Sequence, residues 1–551
     1  MSSIRRFLPL ALAGLCFVVA FWGPQYARRG HWEPDEARFV YVAREMAATR
    51  SFMVPLRNGE IYAHKPPLMM WLVMAGEAAF GEPFGSRLPT LVGAVLSVLA
   101  LFSIVARRAG RRIAAYAVLV ACTSVQFWHA LGFGQIDALL TGLVLSSAAL
   151  FLSCRRDATA AEILPAFLCA GLATLAKGPV GLLLPVLIVA AMAIPEGAGS
   201  IPKLSPSRWC LGFSVALLVP ALWLAAAALS GAPASYFREI LFSQNISRAA
   251  GAYGHRKAFW YLLAAFPVGF LPWTLLLPAA AAVLYRRNRA LLYQGALWAA
   301  FIILFFSLPV SKRSVYIVAA YPGAAIVVAA ALDALWGRRW FRFAATSFAI
   351  ALPAALCAAG LFLLWSNRGA ALLNLPASCG SSVVGGVIAA CMAGGLLSGL
   401  CVIALVSGGP SRNRAVVPLL SFAAALFSVG AFALPAFNPV KEPLDLVPVV
   451  GRHVPAGGRL LMFDINGESL ALHAGRRGMR LDDDISMRAA MASEGSGIAV
   501  FSEKAATNLV ERYSPLVRES GKFSMGRKKF VWVHYDAAPG ASTQTNSEDA
   551  P

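Results

Sequence analysis

HWEPDEARFVYVAREMAATRSFMVPLRNGEIYAHKPP, residues 31–67, decides how this chain is read. It lies between an apolar run near 7–22 and a long series of further apolar runs beginning near Leu88. Yet it carries Glu33, Asp35, Glu36, Arg38, Arg44, Glu45, Arg50, Arg57, Glu60 and Lys65. A charged, aromatic-bearing loop between membrane spans is stable if it lies at the water interface, where its polar groups stay solvated. There it presents a carboxylate and cations to a substrate arriving in the lipid, and the rest of the chain reads as its scaffold.

The composition around it agrees. Of 551 residues, 58% are hydrophobic and only 14% charged, which points to a polytopic membrane protein. Runs long enough to span fall near 7–22, 88–106, 113–130, 133–153, 161–176, 178–194, 209–229, 259–284, 291–308, 314–333, 341–364, 382–407 and 415–434, about 13 helices in all. Arg5 and Arg6 before the first run imitate a secretory signal, but with so many spans behind it the run is expected to be an uncleaved first span.

The net charge of +21 belongs to this topology. Of the 48 Lys and Arg, 34 precede residue 438, against 13 of the 27 acids, so the remainder is neutral. A nucleic-acid binder would concentrate its excess in a soluble patch, and nucleic acid is excluded as a partner. Arg5/Arg6, Arg107/Arg108/Arg111/Arg112, Arg155/Arg156, Lys203/Arg208, Arg286/Arg287/Arg289, Arg338/Arg339 and Arg412/Arg414 fall on one side, the cytoplasmic side by the positive-inside rule. The 23–87 loop, the 230–258 loop and the C-terminal region fall on the other. Nine cysteines are scattered singly with no CxxC spacing, so neither a disulfide framework nor a cysteine zinc site is expected.

From about 438 the pattern becomes that of a small soluble α/β domain, 438–536, with a polar tail at 537–551 expected to be disordered. RLLMFDI (459–465), GIAVFS (497–502) and KKFVWVHY (528–535) read as strands of a mixed sheet, with SLALHA, ISMRAAMA and AATNLVERY as helices between them.

The chemistry-bearing residues are few. Between Leu88 and Phe437 there are six acids, and Asp137 stands alone near the outer end of a span, either a functional carboxylate or a helix cap. Asp35 and Glu36 open the amphipathic stretch EARFVYVAREM, where the helix dipole favours them, and Arg38 lies one turn on. Lys65, Lys177 and the Lys312-Arg313 pair make basic corners on the outer face; singly they read as snorkelling cations, together with Arg38 as a phosphate cradle. His64 and His255 lie in outer loops, where a metal pair competes with ordinary interfacial histidines.

These motifs have a known counterpart. Pro34-Asp35-Glu36-Ala37-Arg38, Tyr62 to His64-Lys65-Pro66-Pro67-Leu68, Arg87-Leu88-Pro89, GLATLAKGPVG (171–181), HRKAFWYLLAAFPVGFLPW (255–273) and FSLPVSKRSVYIVAAYP (306–322) resemble the GT-C integral-membrane glycosyltransferases. Within them the chain is similar to the protein O-mannosyltransferase-like group that includes the lipid A aminoarabinose transferases.

The resemblance implies a GT-C fold: an all-α membrane domain over 1–437, whose 23–87 loop is periplasmic and catalytic, and a C-terminal periplasmic α/β domain. It implies a multi-pass protein of the bacterial inner membrane with a cytoplasmic N-terminus. The activity implied is transfer of a sugar from a polyprenyl-phosphate carrier to lipid A or a related envelope glycan. Asp35 matches the family's loop carboxylate and Asp137 a second acidic position. Arg38, Lys65, Lys177 and Arg313 would hold the carrier phosphate with Tyr316, while Glu36, Tyr62 and Tyr321 would line the substrate. No nucleotide is needed.

Two positions depart from the aminoarabinose transferases: Phe39 stands where they carry Tyr, and His64 where they carry Glu. In the family that Glu, with a histidine matching His255, can hold zinc, so His64 and His255 are the candidate metal ligands. Within the fold the alternatives are a hexose or uronic acid transferase, or one acting on protein hydroxyls. Of another class is a lipid or oligosaccharide flippase, which would want charge lining several spans at mid-depth, where acids are nearly absent here.

Overall fold

The computed structural model describes residues 2–197, 201–243, 256–366, 369–373, 375, 379–407, 415–506, 509–514, 516–526 and 528–537. Two compact units emerge. One comprises Met1–Arg29, Phe52–Pro55 and Tyr62–Ala436; the other comprises Gly30–Ser51, Leu56–Ile61 and Phe437–Pro551. Most of the charged loop thus clusters with the C-terminal region rather than with the spans that flank it in sequence.

In the membrane unit, ten helices among the described residues are long and apolar enough to cross a bilayer. Two further spans are bent, Arg111–Cys122 with Val125–Gly132 at 77° and Tyr261–Gly269 with Trp273–Arg287 at 97°, and the apolar helix Val180–Ala193 is shorter. Every apolar run read from the sequence coincides with one of these. The segment after Pro66-Pro67 forms the helix Leu68–Phe80, too short to cross straight.

The two bends explain each other. A break in a span exposes backbone groups that the apolar phase cannot satisfy. Here Val125 N–H donates to Leu271 O at 3.1 Å, and Trp273 Nε1 donates to the Thr123 hydroxyl at 2.9 Å. Each break supplies the partner the other lacks.

Helices Leu88–Ala109 and Ile136–Ser153 approach backbone to backbone at Gly93 and Gly142. A Cβ on either would run into the other's main chain, so only glycine permits this contact. At the arginine-rich end of these helices the acids are paired: Arg108 Nε lies 3.5 Å from Glu196 and Arg112 Nη2 2.6 Å from Asp333.

The second unit holds a five-stranded mixed sheet. Its strands are β3 (Arg459–Phe463), β4 (Arg477–Leu481), β5 (Ser496–Ser502), β6 (Val517–Met525) and β7 (Lys528–Asp536), after a small hairpin of β1 (Leu56–Arg57) and β2 (Glu60–Ile61). The order is β4-β3-β5-β7-β6, with β3 parallel to β4 and β5 and the remaining pairs antiparallel. Period-two alternation sends Leu460, Met462, Ile498, Val500, Phe530 and Trp532 to one apolar layer, and Leu461, Phe463, Ala499, Phe501, Val531 and Val533 to the other.

The expected strands are β3, β5 and β7, all central. Those not expected, β4 (RGMRL) and β6 (VRESGKFSM), are the two edges, whose charge and glycine hide the strand pattern and discourage edge-to-edge pairing. The helix Asp35–Thr49 belongs to this unit. Its Tyr41 hydroxyl accepts the Gly478 N–H of edge strand β4 at 2.8 Å. Its Glu45 accepts the N–H groups of Asn58 (2.7 Å) and Gly59 (2.6 Å), the left-handed turn of the β1–β2 hairpin.

Candidate functional site

Asp35 and Glu36 form the first turn of their helix, where free N–H groups and the macrodipole stabilise carboxylates. Both are buried, at 9% and 4% exposure. Glu36 accepts the Trp32 N–H at 3.3 Å and so braces the approach to the helix. Asp35 Oδ1 meets Arg38 Nη2 at 2.5 Å. The Arg38 guanidinium stands 5.2 Å from the centre of the Phe39 ring, a cation–π contact.

Arg38 also lines a cavity of about 570 Å³ with Glu33, Asp464, Asn466, Glu468, Lys504, Lys528 and Lys529, all in the second unit. Two of its charges have ion-pair partners: Lys528 pairs with Glu33, and Glu468 lies 3.4 Å from Arg57 Nη1. Burial holds the Glu468 carboxyl above the ordinary carboxylate range, against its own backbone N–H, Arg57 and Arg38. Sequence reading passed over Glu468 and Lys528. They sit in an unremarkable charged domain, and only folding brings them to the Asp35 helix.

In the membrane unit, Asp137 opens the helix Ile136–Ser153 and Lys177 closes Ala160–Lys177. Lys177 Nζ donates to Asp137 Oδ1, with both side chains 9% exposed. The same ammonium stands 4.7 Å from the ring of Tyr316, in the turn Ser314–Ala320 that follows Arg313. The two residues read separately, as a second acid and as a phosphate ligand, are one pair capped by a third predicted residue.

Lys312, buried, donates to the Lys257 carbonyl at 3.2 Å, and Arg256 bridges Ser311. The basic segments 256–257 and 312–313 are thereby drawn together, with Arg313 half-buried. Tyr62 is buried with its ring 4.9 Å from His64, and Lys65 follows half-buried. Tyr321, expected at the substrate, is fully buried in the apolar core, stacked on Phe266 at 5.3 Å and on Phe270. Of the metal pair suggested by the resemblance, His64 is half-buried and His255 lies outside the described residues.

The family described as dolichyl-phosphate-mannose-protein mannosyltransferase matches residues 64–224. The chain is 30% identical over 322 residues to the undecaprenyl phosphate-alpha-4-amino-4-deoxy-L-arabinose arabinosyl transferase of Edwardsiella ictaluri, covering 56% of each protein. It is 32% identical over 308 residues to the protein of that name from Pseudomonas aeruginosa, covering 53% of this chain and 54% of that one. The chain thus spans about half the length of the curated relatives it matches.

In fold the match is longer. The crystal structure of ArnT from Cupriavidus metallidurans bound to undecaprenyl phosphate superposes with a TM-score of 0.74 over 98% of each chain at 22% identity, and the apo structure with 0.73. The chain thus shares the fold of this crystal structure along its whole length, and along about half of its length its sequence is similar to that of the named arabinosyl transferases.

Proposed function

We propose that this protein transfers a sugar, 4-amino-4-deoxy-L-arabinose by its similarity to the named relatives, from a polyprenyl-phosphate carrier to lipid A or a related envelope glycan. The observation that carries the reading is Asp35: a carboxylate at a helix start, nearly buried, held by Arg38 one turn on, in the motif that the sequence shares with this group. The reaction breaks the bond between the anomeric carbon and the carrier phosphate oxygen and forms one to an acceptor oxygen. Polyprenyl phosphate leaves as an anion.

In the second unit, Asp35 positions the acceptor and takes its proton, or faces the positive charge that grows at the anomeric carbon. In the membrane unit, Lys177, Arg313 and Lys65 neutralise the leaving phosphate, where charge-assisted bonds are strongest. Asp137 is then a positioning residue that holds Lys177 beneath Tyr316. The 23–87 loop and the C-terminal domain lie on the periplasmic face and the N-terminus in the cytoplasm. The gathering of Arg108, Arg112, Glu196 and Asp333 at the opposite ends of the helices from Asp137 supports this orientation.

The test is mass spectrometry of lipid A and other envelope glycans from cells with the gene, without it, and carrying Asp35→Asn. A mass increment absent from both the null and the point mutant establishes the transferase and names sugar and acceptor. An unchanged glycan profile with a lipid precursor accumulating on the inner side would replace it with a flippase.

A further inference from the structure

We propose that His453, Glu519 and His534 form a binding site for a divalent transition-metal ion of the zinc class, on one face of the β6–β7 edge of the C-terminal sheet. The three side chains come from three elements. His453 ends the helix Leu446–His453, whose Leu446, Val449 and Val450 pack in the same apolar layer as Ile498 and Trp532. Glu519 and His534 are direct cross-strand partners on β6 and β7 and therefore share a face.

That partnership depends on an irregularity. Val517 pairs with Tyr535, so regular register would set Arg518 opposite His534. A shift between Val517 and Glu519 inserts one residue and delivers a carboxylate there instead. Without the bulge a guanidinium would face the imidazole, and no cation could bind.

The geometry fits a metal. The two imidazole rings lie 4.1 Å apart, His453 Nε2 is 3.8 Å from Glu519 Oε2, and one donor atom from each residue lies within 4.8 Å of the others. Tetrahedral zinc with N and O ligands at about 2.0–2.2 Å sets its donors about 3.3–3.5 Å apart, so closing the set takes a small side-chain rotation. Glu519, at 59% side-chain exposure, has the freedom to make it. Ser496 Oγ stands 3.3 Å from His534 Nε2, the kind of hydrogen bond that orients a ligating imidazole.

A divalent ion at this point would take one lone pair from each imidazole and one from the carboxylate. With three protein donors and a solvent-facing side, water completes the coordination. The ion would tie the helix Leu446–His453 to edge strand β6. This reading does not rest on the proposed transfer reaction.

The test uses the full chain purified in detergent, stripped with a chelator, and titrated with Zn²⁺ by calorimetry and with Co²⁺ by visible absorption. Expected are one equivalent more metal than H453Q or H534Q takes up, a cobalt ligand-field spectrum that both variants lose, and a Zn²⁺-dependent rise in Tm seen only in the parent. E519Q, which alters an exposed side chain and keeps the fold if a histidine variant does not, should weaken binding by at least about 10-fold, as loss of even a supporting hydrogen bond can. Equal stoichiometry and spectra in the parent and every folded variant, meaning adventitious binding elsewhere, would overturn the site.

Discussion

Asp35 and Asp137 each open a helix and each meet a cation, but by different routes. Asp35 finds Arg38 three residues on along its own helix, in the second unit. Asp137 finds Lys177 across 40 residues, at the junction of two spans in the membrane unit. The first pair is local: the helical period makes it as soon as the helix forms, and its cation also lines an open cavity. The second exists only when two helices pack, and it is buried, so neither charge is stable there without the other. The local pair is suited to meeting a substrate, and the buried pair to holding a cation in a fixed place.

The comparison is broken most directly at Asp35. Asp35→Asn keeps the size and the helix start but removes the carboxylate proposed to act in transfer, which should fall about 10²–10⁴-fold, with the circular dichroism and Tm of the parent. Near-parental turnover by the purified variant would remove Asp35 from the chemistry. Lys177→Ala should instead cost stability, about 3–5 kcal/mol, because it strands a buried carboxylate, and the Asp137→Ala/Lys177→Ala double variant should regain most of it while remaining inactive. Thermal unfolding in detergent separates the two, and additive losses in the double variant would mean the pair is not coupled.

A smaller effect sharpens the contrast through pH. Burial raises the Glu45 carboxyl above its ordinary 4.5, although the Gly59 and Asn58 N–H groups pull it down. The folded state therefore keeps a proton that the unfolded chain has released, so this group's contribution to stability falls as pH rises from 4.5 through the raised value. Glu468 acts in the same sense. The Tm of Glu45→Gln should vary less with pH over that window than the parent's, and parallel curves would contradict the assignment. Smallest is Tyr41→Phe, which leaves the Gly478 N–H of edge strand β4 without its acceptor and should lower stability by about 1 kcal/mol, read from the same unfolding curves. No change would show that water replaces the hydroxyl.

The sites differed in how legible they were. Asp35, Glu36 and Arg38 were readable because an acid pair at a helix start followed by a cation one turn on is a pattern within five residues. Lys177 and Tyr316 were readable as types in suggestive places, but their meeting was not, since nothing in a linear sequence says which loop corners touch. Tyr321 shows the reverse: it sits in the same motif as Tyr316, yet the turn from Ser314–Ala320 into the next span buries it against Phe266. Glu468 and Lys528, which line the cavity beside Arg38, carried no signal, because a lone acid or lysine in a charged domain is ordinary.

What the sequence alone determined is what depends on composition and short periods. The membrane class, the positions of the spans and the central strands β3, β5 and β7 follow from apolar runs and alternation, which act over one element at a time. Tertiary structure decided the rest. It bent two spans so that Val125 and Leu271 satisfy each other, joined Asp137 to Lys177, and set the Asp35 helix in one compact unit with the C-terminal sheet. Each of these is a pairing between groups distant in sequence, and such pairings arise only when packed elements must satisfy buried polar groups that none of them can satisfy alone.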